Sequence, residues 1–417
     1  MDPAAERPRM DAPACVGDSR VILSRDALLH NVQLLRRHLQ PETRLCAVIK
    51  ADAYGHDASL VADALVNFSR PPLEAPAVDA LAVATVEEAA ALGEQPVPVM
   101  ILRPVESVYL GRRRQMLCEA IERQWVLSIS SAAAAGDVAR LAVSLHRRAV
   151  VQVMVDTGMA REGAPLEQLP QILSAISVHA SLRLWGICTH FANADQPGHE
   201  TLSGQLAMFR SATDAFARAH PRVIRHAANS GAVFFAPEAG LQMVRPGIAL
   251  YGVDPTGVPS LDRPLRPALK WTSPILMVRT VRAGQTCGYG QSWTAPRDSR
   301  LGLVPVGYAD GYNRAFSNRG VMLVNGQAAP VVGRVSMDST MIDLTDIPSA
   351  QPGDEAVLMD NDPLSPASVY ALARWADTIP YEILTRIGQR VQRVAVDPPD
   401  APPRRRDERG RAMPQRA

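Results

Sequence analysis

Short apolar runs recur through the first two thirds of the chain, near 43–49, 80–84, 97–102, 125–130, 149–156, 183–191, 223–229 and 241–246. Runs of this length read as buried strands. Most are separated by alanine- and leucine-rich helical stretches such as Val86–Leu92 and Ala132–His146. Eight strands alternating with helices over roughly 220 residues match a (β/α)8 barrel in count and length. A further strand, R-V-I-L-S from Arg20 to Ser24, precedes them. Ser24 then stands as N-cap of a helix with Leu28, Val32, Leu35 and Leu39 on one face, and a second helix follows Asp57 through Leu65. After about Leu261 the texture changes. A proline-rich linker, Val258–Pro267, leads into β runs at Trp271–Val281, Arg300–Val306 and Val321–Val324. An Asn325-Gly326 turn leads on to Pro330–Val335, then Met341–Leu344 and Glu355–Met359, with one helix at Ala367–Trp375. The expected fold is therefore α/β. A disordered 1–17 precedes an N-terminal (β/α)8 barrel over 18–260, with strand 20–24 joining the second domain. A mainly β C-terminal domain follows over 261–397, then a disordered tail, 398–417.

Composition narrows the function. Apolar residues make up 47% of the 417, enough for a large core, while 44 basic against 42 acidic side chains leave a net charge of only +2. That near balance argues against broad nucleic-acid binding. Five scattered cysteines without C-x-x-C spacing point to a reducing compartment and to neither a disulfide framework nor zinc. The absence of an H-E-x-x-H or His-plus-Cys cluster removes the metal expectation as well. The N-terminal segment has no apolar core of a signal peptide, Met10 is a second candidate start, and no run of 18 apolar residues occurs. A cytoplasmic protein away from membranes is the expectation.

The chemistry centres on A-V-I-K-A-D-A-Y-G-H-D, Ala47 to Asp57. Lys50 stands at the carboxyl end of a buried strand, where α/β folds place their reactive groups. Desolvated there, its amine loses a proton more readily and can form a Schiff base with an aldehyde. A lone lysine at such a place is more often one that caps a strand and snorkels to water. R-P-G-I-A-L-Y-G (Arg245–Gly252) and N-S-G (Asn229–Gly231) fall at the ends of the eighth and seventh strands, where such barrels bind phosphate through backbone N–H groups.

Together these segments resemble the alanine racemase family, over about residues 19 to 396. The resemblance implies pyridoxal 5'-phosphate (PLP) as cofactor, carried by Lys50. It implies that Ser230, Gly247, Ile248 and Tyr54 hold the phosphate beside Asn229, with Tyr381 in P-Y-E-I-L-T-R reaching it from the partner side. Arg245 takes the pyridine nitrogen, His190 in C-T-H-F-A-N-A-D stacks on the ring, and His226 stands behind Arg245. Tyr289 in C-G-Y-G-Q is the second base, supplied by the other subunit of a homodimer. Tyr308 and Arg314 match the substrate entry. Arg161 and the backbone N–H of Met337, in G-R-V-S-M-D, grip the substrate carboxylate. The activity implied is a two-base interconversion of L- and D-alanine, with a serine or broad-specificity racemase as the near alternative. A decarboxylase of the same architecture and a non-catalytic PLP-binding barrel are the rivals from other classes.

Two positions depart from the pattern. Met154 stands where many relatives carry a carbamylated lysine seven residues before Arg161, and Ala160 replaces a glycine. Either a bound anion such as chloride or a nearby carboxylate is expected to substitute for that carbamate, or Arg161 is simply looser.

Overall fold

A computed structural model describes residues 19–69, 73–105 and 114–396. The segments expected to be disordered at the two ends, 1–17 and 398–417, lie outside the described residues. Eight parallel strands close on themselves: Arg44–Val48, Ala80–Val83, Val99–Val105, Val126–Ile129, Ala149–Asp156, Leu182–Cys188, Ile224–His226 and Met243–Val244. Closure comes from the pairing of Met243 with Arg44 and Val244 with Leu45. Several of these strands are buried along their whole length, as all-parallel strands covered on both faces must be. The barrel expected from the apolar repeat is present, strand for strand.

Local signals set most boundaries. Ser24 caps the first helix by accepting the N–H of Ala27. That helix ends at Arg36, short of Leu39. Other strand-to-helix turns use Thr85 and Ser131 in the same way.

The β portion comprises a six-stranded sheet, in the order Gln327–Pro330, Val321–Val324, Glu355–Met359, Leu269–Pro274, Arg20–Ser24, Gln392–Val396. Arg20–Ser24 joins it as expected, and Gln392–Val396 is a strand the apolar pattern missed. A three-stranded antiparallel sheet (Met277–Val281, Ser299–Val304, Thr340–Asp343) and a short hairpin (Thr286–Cys287 with Trp293–Thr294) complete it. The expected single run Trp271–Val281 is two strands in different sheets. Pro274, with no N–H to give a ladder, ends the first of them. The strand placed at Pro330–Val335 begins earlier, at Gln327. Asn325 (φ 51°) and Gly326 (φ 73°) form a two-residue turn that pairs Val324 directly with Gln327.

By internal contacts the chain divides into two units. Among the described residues, one takes Ile22–Lys270, Met359–Ile387 and Arg393–Val396; the other takes Ser19–Val21, Trp271–Leu358 and Gly388–Gln392. The helices Val369–Ala376 and Pro380–Thr385 therefore belong with the barrel, although their place in the chain had put them in the β domain. Tyr370 ties the first to the barrel by accepting the N–H of Asp254 at 2.8 Å. Gly55 admits the second, since a Cβ there would lie 2.2 Å from the carbonyl oxygen of Leu384. No described helix is long and apolar enough to cross a membrane.

Candidate active site

The first barrel strand ends at Val48, and after Lys50 the backbone makes one left-handed turn through Ala51, Asp52, Ala53 and Tyr54, all at φ of 52–54°. Four non-glycine residues in that region cost about 1–2 kcal/mol each. The turn persists because its polar groups are taken up. Glu88 accepts the N–H groups of Ala51 (2.9 Å) and Ala84 (2.6 Å), and Asp52 accepts that of Ala58 at 2.8 Å. Sequence reasoning missed both the left-handed turn and Glu88. The signal was T-V-E-E at Thr85–Glu88, a capping-box spelling whose carboxylate is diverted to the neighbouring strand end.

The turn aims Lys50 into a cavity of about 500 Å³ at the carboxyl ends of the barrel strands. Its lining comes wholly from the barrel unit. Lys50, Tyr54, Arg161, His190, Asn229, Ser230, Arg245, Gly247, Ile248 and Tyr381 all reach it. Burial, and then the positive charge of Arg161, hold the Lys50 amine below the ordinary lysine range, while Glu162 and Glu88 pull it back up. A lysine in that state offers a free amine more readily than one at the surface.

At one side of the cavity, Asn229 caps a short helix by accepting the N–H of Ala232. Ser230 Oγ accepts the N–H groups of Gly247 (2.9 Å) and Ala249 (3.2 Å). A Cβ on Gly247 would sit 2.4 Å from the Tyr54 hydroxyl, so only glycine leaves that backbone open. The Tyr54 ring packs 4.9 Å from Tyr251 and 6.1 Å from Tyr381. Tyr381 was expected to reach in from the partner side; it lines the cavity of its own chain, because its helix folds back onto Gly55.

Opposite lies Arg245, 6% exposed. Its Nη2 donates to the carbonyl oxygens of Thr189 (2.7 Å) and Ala227 (3.2 Å), and its Nη1 to His226 Nδ1 at 2.5 Å. His190 Nδ1 is 3.4 Å from the same guanidinium. Among the described residues no carboxylate touches it. Burial and the Arg245 charge push His190 down to about 3 and hold His226 well below the ordinary histidine range, so both are neutral.

Met154 also lines the cavity, and Glu162 stands 3.5 Å from Arg161 Nε. A carboxylate thus accompanies Arg161, one of the substitutes expected for the missing carbamate. Tyr289 and Met337 belong to the other unit. Tyr289 is at the tip of the hairpin Thr286–Thr294 between Gly288 (φ 73°) and Gly290 (φ 68°), and is 71% exposed. Met337 is 53% exposed, on a turn whose carbonyls accept the N–H groups of Tyr308 and Ala309. Tyr308 and Arg314 are exposed as well.

Comparison with known proteins places this geometry. The family model described as alanine racemase, N-terminal domain, matches residues 23–255, and that described as alanine racemase, C-terminal domain, matches 268–395. An alanine racemase of Sorangium cellulosum is 39% identical over 384 residues, covering 89% of this chain and 97% of that one. One of Chlorobaculum tepidum is 35% identical, covering 95% and 100%. Among solved structures, alanine racemase of Clostridium difficile 630 superposes with a TM-score of 0.81 at 30% identity, covering 91% and 96%. The Bartonella henselae enzyme, with covalently bound pyridoxal phosphate, gives 0.76 at 29%, covering 91% and 99%.

Proposed function

This chain belongs to the alanine racemase family, and from that premise we propose that it interconverts L- and D-alanine with PLP in the barrel cavity, two copies sharing each site. One juxtaposition carries the reading: Lys50, its amine eased toward the neutral form, lines the same cavity as an arginine held only by acceptors. The residues fit the cofactor, since Gly247 leaves an open cradle between Ser230 and the Tyr54 hydroxyl.

When bound, PLP supplies an electron-withdrawing ring that stabilises the electron pair left on the substrate's Cα. Lys50 Nζ would hold it covalently. Ser230, Gly247, Ile248, Tyr54 and Tyr381 would hold the phosphate, with Asn229 fixing the helix that carries Ser230. Arg245 would stand against the ring nitrogen. A guanidinium donates and does not give up its proton, so Arg245 would leave a nitrogen held against it unprotonated. Neutral His190, which lines the cavity, would pack against the ring and exclude water.

Arg161 and the Met337 N–H grip the substrate carboxylate. Lys50 Nζ takes the proton from D-alanine, and Tyr289 Oη of a second copy takes it from L-alanine on the opposite face. The exposure of Tyr289 supports the shared site, because a base on a hairpin tip needs a cover to be shielded from water. Unpaired Cys46, Cys118, Cys188 and Cys287 support a reducing, cytoplasmic setting.

The test is chiral analysis of L-alanine incubated in heavy water with the protein and PLP, with L-serine alongside. D-alanine carrying deuterium at Cα is expected. Serine inverting while alanine stays unlabelled would move the assignment to another amino acid. If nothing exchanges although Lys50 holds PLP, the protein is a carrier.

A further inference from the structure

Beneath the cavity floor the barrel interior is crossed by a line of polar side chains. From Arg245 the line runs to His226 Nδ1, and His226 Nε2 lies 3.0 Å from Gln152 Oε1. Gln152 Nε2 is 2.7 Å from Ser128 Oγ, which is 2.6 Å from the carbonyl oxygen of Ile101. His226, Gln152 and Ser128 are all 0% exposed. Four barrel strands and the start of the loop after the eighth contribute to it. The strands are shaped around it. A Cβ at Gly186 would lie 2.5 Å from the Ile224 carbonyl and 3.4 Å from His226 Nε2, and the register of the fifth strand against the sixth slips at Gln152.

The two ends of the line assign every hydrogen in it. A guanidinium only donates, so His226 Nδ1 presents its lone pair. The proton of the neutral ring is then on Nε2, donated to the Gln152 amide oxygen. The amide nitrogen donates to Ser128, and the Ser128 hydroxyl donates to Ile101, whose carbonyl only accepts. The other tautomer of His226, or its imidazolium, would put an N–H against the Arg245 N–H. Burial and the Arg245 charge, which hold His226 far below its ordinary range, act in the same sense.

We propose that Gln152 and Ser128 are positioning residues that lock His226 in its Nε2–H form, and so hold the Arg245 guanidinium in one orientation facing the cavity. The role of Arg245 rests on the cofactor reading above; the state of His226 does not. Gln152 lines the cavity but carries no titrating group, and Ser128 does not line it. Each acts through the next, as partners behind metal-bound histidines fix tautomer and ring orientation. A purely structural staple would tolerate any substitution that preserves packing, whereas a lock depends on which atoms donate.

The experiment follows the nitrogen-15 signals of labelled histidine in the full-length protein, together with kcat, KM and the absorbance of the bound cofactor. In the unchanged protein His226 is expected as one neutral tautomer, protonated on Nε2, through and below the ordinary histidine range. Ser128→Ala removes the acceptor that orients the Gln152 amide, which can then turn over. The single-tautomer pattern should be lost, kcat should fall on the order of tenfold with KM little changed, and the cofactor absorbance should shift. Ser128→Thr, which restores the hydroxyl, should return all three. Gln152→Glu keeps the shape and the acceptor but adds a charge. It should draw His226 into its protonated form at a pH above that of the unchanged protein and make the absorbance pH-dependent. If either folded variant, Ser128→Ala or Gln152→Glu, leaves the His226 signals unchanged, the lock does not exist. If the signals move while kcat and absorbance do not, Arg245 does not depend on it. Both outcomes overturn the proposal. A failure of the cofactor reading is distinct: the unchanged protein would bind no PLP at all while the histidine signals remained readable.

Discussion

In the barrel cavity Arg245 is 6% exposed with its hydrogens committed to Thr189, Ala227 and His226; in the β unit Tyr289 rides a glycine-flanked hairpin tip at 71% exposure. The first is a group the fold has immobilised. The second is a group the fold has only presented. The difference matters because a desolvated, pre-oriented group needs no reorganisation when substrate arrives, whereas an exposed side chain keeps its rotamer freedom. On the proposal above, the barrel unit builds a cofactor cradle by itself, and the β unit supplies a base that becomes useful only when a second copy covers it.

The sharpest way to break that contrast is to remove one group from each region. Lys50→Ala should abolish covalent retention of PLP and lower turnover in both directions by about 10²–10⁴-fold. Tyr289→Phe should lower it comparably for L-alanine while retaining PLP, and deuterium wash-in from D-alanine, read by mass spectrometry, should be less affected. Equal loss of cofactor in the two variants would erase the distinction between cradle and base.

A smaller effect concerns pH. His56 and His226 are fully buried and have lowered pKa values, His56 down to about 4 from an ordinary 6.5. A depressed value means the unfolded chain binds these protons first. The stability they confer is therefore intact above pH 6.5 and lost as pH falls toward 4 for His56, at roughly 1.4 kcal/mol per site per pH unit. Thermal unfolding from pH 7 downward should show a steep fall in Tm beginning near neutrality. Replacing Tyr289, which lies outside the buried histidines, should leave that pH dependence unchanged.

The smallest effect tests the edge between the regions of behaviour. Arg161 is half exposed beside Glu162, and exposed pairs contribute about 0–1 kcal/mol. Glu162→Gln should therefore raise KM for alanine only a few-fold. A rate that then becomes chloride-dependent at fixed ionic strength would show that an anion is needed beside Arg161. A loss as large as that of Lys50→Ala would mean Glu162 acts in the chemistry itself.

The barrel was legible because its evidence is local and repeated: apolar strands, capping residues and glycines recur at each unit. The Thr85 and Ser131 caps and the Asn325-Gly326 turn follow from neighbours in sequence. The split of Trp271–Val281 was not legible, because an apolar run does not say which sheet it enters. Gln152 in V-V-Q-V-M-V-D and Ser128 in V-L-S-I did leave a signal, a polar residue inside an apolar strand, but not its partners.

Taken alone, the chain's residues determined the eight-fold repeat, the lysine at a strand end and the motifs that tie it to a family, since each depends on spacing within a few residues. Only the tertiary structure decided that residues 359–387 pack with the barrel and that Tyr381 lines its own chain's cavity. It also set the left-handed turn after Lys50 and the line from Arg245 to Ile101. These depend on contacts between distant segments, where burial removes water as a partner and leaves each polar group only the donors and acceptors that the fold brings to it.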